Sequence, residues 1–152
     1  MFSTPFNTEA GATPTMRAVW LSHHHPDQLD RCVVIGGRPV CRRCLVLWPL
    51  TFVALCLSFA GVRWPRSADD LFLVVLPLPA VAEFVLEHAG RWPYRRGLQA
   101  LVSVPLAAAL GVGFDRYLHH PGDGLWWSVV GVYGAVCLGA AVLANRRALA
   151  RR

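Results

Sequence analysis

Residues 44–62 read CLVLWPLTFVALCLSFAGV, 19 consecutive positions without a charge. A helix crossing a ~30 Å hydrocarbon layer needs about 20 residues, with roughly 17–25 tolerated. The stretch therefore reads as a transmembrane helix. Working outward, three more apolar runs follow: Leu71 to about His88, Leu98 to Phe114, and Leu125 to Ala144. The third is short and extends to full length through Tyr117, and the second needs its polar end counted. The loops between the runs are short, which favours antiparallel neighbours. The expected fold is all-α, a polytopic membrane protein with four transmembrane helices (about 44–62, 71–88, 98–114 and 125–144) in an up-down bundle. That membrane domain covers 44–145.

Composition agrees. The 152 residues are 55% hydrophobic yet carry a net charge of +6, with the charges gathered in short blocks between apolar runs. Soluble domains mix charge more evenly. Every basic residue is Arg, which with the Ala and Gly richness hints at a GC-rich bacterial genome. No basic stretch interleaves with aromatics on an exposed face, so nucleic acid is not an expected partner; the bilayer is. No apolar core follows a basic start, so the expectation is an uncleaved first span preceded by a disordered tail over 1–18.

Arginine placement sets the orientation. Arg17, Arg31, Arg38, Arg42 and Arg43 precede the first span; Arg91, Arg95 and Arg96 lie between the second and third; Arg146, Arg147, Arg151 and Arg152 form a basic tail over 146–152. The alternate loops hold only Arg63, Arg66 and Arg116. Twelve against three predicts a multi-pass protein of the bacterial inner (plasma) membrane with both termini cytoplasmic. Trp48, Trp64, Trp92, Trp126 and Trp127 fall near span ends, where indole rings anchor at headgroup level. Gly131, Ala135 and Gly139 repeat at four-residue spacing, a smooth face for helix packing within the chain or in a homo-oligomer.

The chemistry is concentrated in a short cytoplasmic segment over 19–43, at the root of the first span. His23, His24, His25 and Cys32 precede a Gly36-Gly37 reversal, then Pro39-Val40-Cys41-Arg42-Arg43-Cys44. Two residues between thiols allow both sulfurs to reach one cation, and zinc sites complete four ligands with further Cys or His. Cys41 and Cys44 are the expected metal ligands, with Cys32, His23 and His25 as partners; His23 and His25 alternate to one side of an extended chain. Asp27 or Asp30 would orient a ligating imidazole. A reducing cytoplasm favours metal over a standing disulfide. Arg42 and Arg43 favour thiolates, which also suits a redox dithiol, and structural thiols are the third reading.

Residues 22–50 resemble the signature of a family of small bacterial membrane proteins of unassigned reaction. Its members carry a Cys-His-x-x-Pro-Glu/Asp-Arg-like motif, then Pro-Val-Cys-x-Arg-Cys at the first membrane helix. Ser22-His23-His24-His25-Pro26-Asp27 and Pro39-Val40-Cys41-Arg42-Arg43-Cys44 correspond to these. Ser22 stands where the family has Cys, and Leu45-Val46-Leu47 replaces a Thr-Gly-Ile-like sequence. The resemblance implies a Cys/His cluster at the cytoplasmic membrane edge, with Cys32 a substitute for the missing thiol.

The second span contains Pro77 and Pro79, which break or bend it, then Glu83, Glu87 and His88. At 1.5 Å per residue from Leu71, Glu83 sits ~18 Å and Glu87 ~24 Å along the span. An ionisable group there is paired or functional. Arg95 or Arg96 is the expected structural partner. Glu83, Glu87 and Asp27 are the catalytic candidates should the metal be catalytic. Asp115, His119, His120 and Asp123 form a polar patch on the opposite side, read as a wet loop with helix-cap chemistry. The expected function is an integral membrane protein with a zinc-like Cys/His site in a structural or accessory role. The alternatives are a metal-dependent enzyme on a lipid-type substrate and a thiol–disulfide carrier using Cys41 and Cys44.

Overall fold

The computed structural model describes residues 31–36, 38–62 and 64–150. The chain divides into two units, Met1–Arg42 and Arg43–Arg152.

The described part of the first unit is a β-hairpin, a correction to the all-α expectation. Strand β1 (Cys32–Ile35) pairs antiparallel with β2 (Arg38–Cys41), in the register Cys32↔Cys41, Val33↔Val40, Val34↔Pro39, Ile35↔Arg38. β-Branched Val33, Val34, Ile35 and Val40 favour extended backbone. Across a two-residue loop the flanking pair Ile35–Arg38 is the hydrogen-bonded one, and the pairs then alternate. Pro39, with no N–H, thus stands at a non-hydrogen-bonded position, where a strand tolerates it. Cys32 and Cys41 occupy the same class of position.

The second unit is helical. Helix α1 (Arg42–Phe59, beginning one residue before the unit boundary) ends where Gly61 takes a left-handed φ of 83°. The Gly61 and Val62 amides donate to Ser58 and Leu57 carbonyls. Helix α3 (Leu78–His88) ends the same way at Gly90, φ 70°, with Gly90 and Arg91 amides donating to Glu87 and Leu86 carbonyls. Both are Schellman closures, for which only glycine supplies the left-handed residue without a Cβ penalty.

The second apolar run is broken into α2 (Arg66–Val75) and α3. Pro77 and Pro79 lack the amides that would continue the ladder to Leu73 and Val75 carbonyls. The carbonyl between them, Val74 O, accepts a hydrogen bond from Tyr133 Oη at 2.6 Å. In hydrocarbon an unsatisfied carbonyl costs several kcal/mol, so the break persists because another helix satisfies it.

Helices α4 (Arg96–His119) and α5 (Gly124–Ala150) complete the unit. Asp123 caps α5, its Oδ1 accepting the Trp126 amide at 2.8 Å. Four helical segments are long and apolar enough to cross a membrane: Arg42–Phe59, Ala68–His88, Arg96–His119 and Gly124–Ala150. All four therefore start earlier than hydropathy alone marks, and the last two also run past it, because residues flanking the apolar runs remain helical.

Helix α4 is the packing centre. Gln99, Ser103, Ala107, Gly111 and Asp115, each four residues apart, are all buried. At Gly111 a Cβ would lie 2.4 Å from Ala54 Cβ and 2.9 Å from the Thr51 carbonyl oxygen, so α1 and α4 meet backbone to backbone. Helix α5 is the opposite case, burying only Trp126. A methyl group added at Gly131, Gly134 or Gly139 would meet nothing within 4 Å, so the Gly131/Ala135/Gly139 face is not a packing face among the described residues. Trp126 is no headgroup anchor either: it is 5% exposed and packs on Gly113, whereas adjacent Trp127 is 52% exposed.

Phe52, Val53 and Phe59 on α1, Leu101 on α4, and Val132 and Leu138 on α5 are all more than half exposed. So much apolar surface is unsuited to water and suited to lipid tails.

Candidate functional site

His23, His24, His25, Asp27 and Asp30 lie outside the described residues. The thiols nearest them in the chain are placed. Cys32 and Cys41 stand directly opposite one another across the hairpin, both as thiols and each 6% exposed. Non-hydrogen-bonded pairs are those in which side chains approach most closely, with Cα atoms about 4.5 Å apart. The C-x-x-C spacing pairs Cys41 with Cys44; the strand register adds Cys32 opposite Cys41. Cys44 lies in the first turn of α1. Among the described residues no three His, Cys, Asp or Glu side chains form a metal-binding group.

In the helical unit, Glu83 is buried on α3 and ion-paired with Arg43 at the start of α1. The expected partners Arg95 and Arg96 are exposed instead. The Arg43 guanidinium also lies 5.9 Å from the Phe84 ring centroid, and Phe84 stacks on His88 at 3.9 Å. His88 Nδ1 is 2.8 Å from the Phe84 carbonyl oxygen, which can only accept, so the ring carries its proton on Nδ1. Glu87 is half-buried one turn after Glu83. The start of α1 thus meets the second half of the broken span, as the neighbouring ends of a helical hairpin should. The charge that answers Glu83 is an arginine one residue before Cys44.

A cavity of about 530 Å³ opens at the other end of the same unit, lined by Trp64, Asp69, Asp70, Val112, Asp115, Arg116, His119, His120 and Asp123. It is larger and more highly charged than the wet loop expected there. Arg116 Nε donates to Asp123 Oδ2 at 2.6 Å, and Nη1 donates to Asp70 at 2.6 Å and to Asp69 at 3.2 Å. One guanidinium therefore ties the start of α2, the end of α4 and the cap of α5. Trp64 Nε1 donates to Asp69. His119 Nδ1 lies 2.8 Å from the Asp115 carbonyl oxygen and 3.5 Å from its carboxylate. The Trp126 amide, and after it the Arg116 guanidinium, hold the Asp123 carboxyl below its ordinary range, against the opposing effect of burial. With Arg116 engaged by three carboxylates, the cavity suits cations better than anions. The signal in the sequence is Asp69-Asp70, an acidic pair near a helix start, together with Arg116, the one arginine between the third and fourth apolar runs.

The fold is that of a helical membrane-embedded protein with an N-terminal unit carrying paired thiols. Compared with family models, characterised proteins and solved structures, the chain matches none of them.

Proposed function

We propose that this chain is a multi-pass protein of a bacterial inner membrane, both termini cytoplasmic, that holds a zinc-like divalent cation through its N-terminal thiols in a structural or accessory role. The observation that carries the reading is the pairing of Cys32 with Cys41, two buried thiols opposed at the closest class of strand position. A soft or borderline cation is the species for which two converging thiolates are suited. Cys44, His23 and His25 are the candidates for the two further ligands that complete a tetrahedral set. The arginine asymmetry supports the orientation, and the exposed apolar helix faces support lipid as the surrounding solvent.

Elemental analysis of detergent-purified protein tests the reading. About one metal per chain in the wild type is expected, falling in Cys32→Ser/Cys41→Ser and in Cys41→Ser/Cys44→Ser. Full metal content in either variant overturns it. Metal-free protein with Cys41 disulfide-bonded to Cys32 or Cys44 would transfer the assignment to a thiol–disulfide carrier.

A further inference from the structure

Apart from Arg43, which is ion-paired with Glu83, the two ends of the helical unit treat their arginines differently. At the α4–α5 turn, Arg116 is neutralised by Asp69, Asp70 and Asp123. At the opposite end Arg91, Arg95, Arg96, Arg146 and Arg147 are exposed, and among the described residues none of them meets a carboxylate. These residues come from two places far apart in the chain: the α3–α4 connection and the last turns of α5. Helix geometry puts them at one level. Arg96 lies 23 residues before the end of α4 at His119, and Arg147 lies 23 residues after the start of α5 at Gly124. At 1.5 Å per residue both stand about 35 Å from the turn. A hydrocarbon layer is about 30 Å thick, so this is the level of the headgroup phosphates. Trp92, 40% exposed, lies in the same connection, where an indole suits the glycerol region.

We infer that Arg91, Arg95, Arg96, Arg146 and Arg147 form a belt that binds the phosphates of anionic phospholipids in the adjacent leaflet. Guanidinium pairs bidentately with phosphate oxygens, whereas a zwitterionic headgroup brings its own cation to compete. The inference rests on the membrane reading above and is independent of the metal.

The full-length protein is reconstituted in vesicles of equal parts phosphatidylcholine and phosphatidylglycerol, re-extracted in mild detergent, and its retained lipids are counted by native mass spectrometry. The wild type is expected to retain phosphatidylglycerol preferentially, with the preference falling about fivefold for each arginine removed. Arg95→Gln/Arg96→Gln/Arg147→Gln should insert and unfold like the wild type yet lose most of the preference. The corresponding triple Lys variant should keep part of it, and Arg38→Gln should keep all of it. Equal retention of the two lipids by the wild type, or an unchanged preference in the triple Gln variant, overturns the belt. Failure of the wild type to insert into vesicles at all overturns the membrane reading, and the belt with it.

Discussion

The ring of Trp126 lies directly over Gly113: a Cβ on that glycine would fall 2.0 Å from Cζ3 of the indole. The contact docks the first turn of α5 on α4, and Phe114 adds its ring at 5.6 Å from the same indole. Helix α5 buries no other residue.

Gly113→Ala should therefore destabilise the bundle by about 1–3 kcal/mol, the usual cost of over-packing a filled site. Trp126→Ala, which leaves a cavity, should cost about 3–5 kcal/mol. Unfolding in detergent titrated with sodium dodecyl sulfate measures both. Trp127→Ala, at an exposed ring, is the internal comparison and should stay close to wild type.

Tyr133→Phe removes the only hydroxyl on Val74 O among the described contacts, at the point where Pro77 and Pro79 interrupt the second span. Hydrogen bonds between membrane helices average roughly 0.6 kcal/mol and reach about 1.7. The upper part of that range is expected, because the two prolines remove amides from the neighbourhood of the orphaned carbonyl. Hydrogen exchange at residues 74–79 should accelerate in the variant while exchange along α4 stays unchanged.

Breaking the Arg43–Glu83 pair from one side should be worse than removing it altogether. The side chains are 18% and 9% exposed. Arg43→Met leaves Glu83 buried without its counter-charge and should cost about 3–5 kcal/mol, whereas Arg43→Met/Glu83→Met should recover most of that loss. A double-mutant cycle on the same unfolding assay measures the coupling. Glu83→Gln breaks the pair from the other side and should also lose stability; altered cellular lipids in that variant, absent from Arg43→Met, would instead point to a catalytic task for Glu83.

Acid should loosen the α4–α5 turn. Asp123 has a folded-state pKa below its unfolded value. Its contribution is complete above the ordinary carboxylate range, and it disappears as pH falls through the lowered folded value. Unfolding midpoints followed downward from neutral pH should show the wild type losing stability on that limb. Asp123→Ala, deprived of both the Trp126 cap and the Arg116 bond, should start lower and show a flatter acid limb. Asp123→Asn keeps a capping oxygen and should fall between them.

The glycine face of α5 can be assigned by size alone. Gly131→Leu/Gly139→Leu meets open space in the chain and should leave the monomer's stability within about 0.5 kcal/mol of wild type. If the face joins copies, cross-linking in membranes should show the oligomer lost in the variant.

Much of this architecture is legible in one dimension. Apolar runs near 20 residues with few charges place the spans because a charge in hydrocarbon is costly wherever it points. Pro77 and Pro79 break the second span whatever packs on it, since they lack amides. Cys32 and Cys41 are both visible as candidate ligands, but their opposition follows only from a hairpin register that Gly36, at a left-handed φ of 57°, permits. What the sequence could not decide is which faces meet. In water an apolar stripe marks the core; in lipid, tails and core are equally apolar, so small-residue spacing is ambiguous. The evident stripe at Gly131, Ala135 and Gly139 is exposed, while the less evident Ser103, Ala107 and Gly111 lie on the buried face of α4, where Gly111 carries the contact with α1. The same limit hid the choice of Arg43 over Arg95 for Glu83, of Trp126 over Trp127 for burial, and the gathering of Asp69, Asp70 and Asp123 on Arg116. Each depends on distances between helices, and only the tertiary packing sets those.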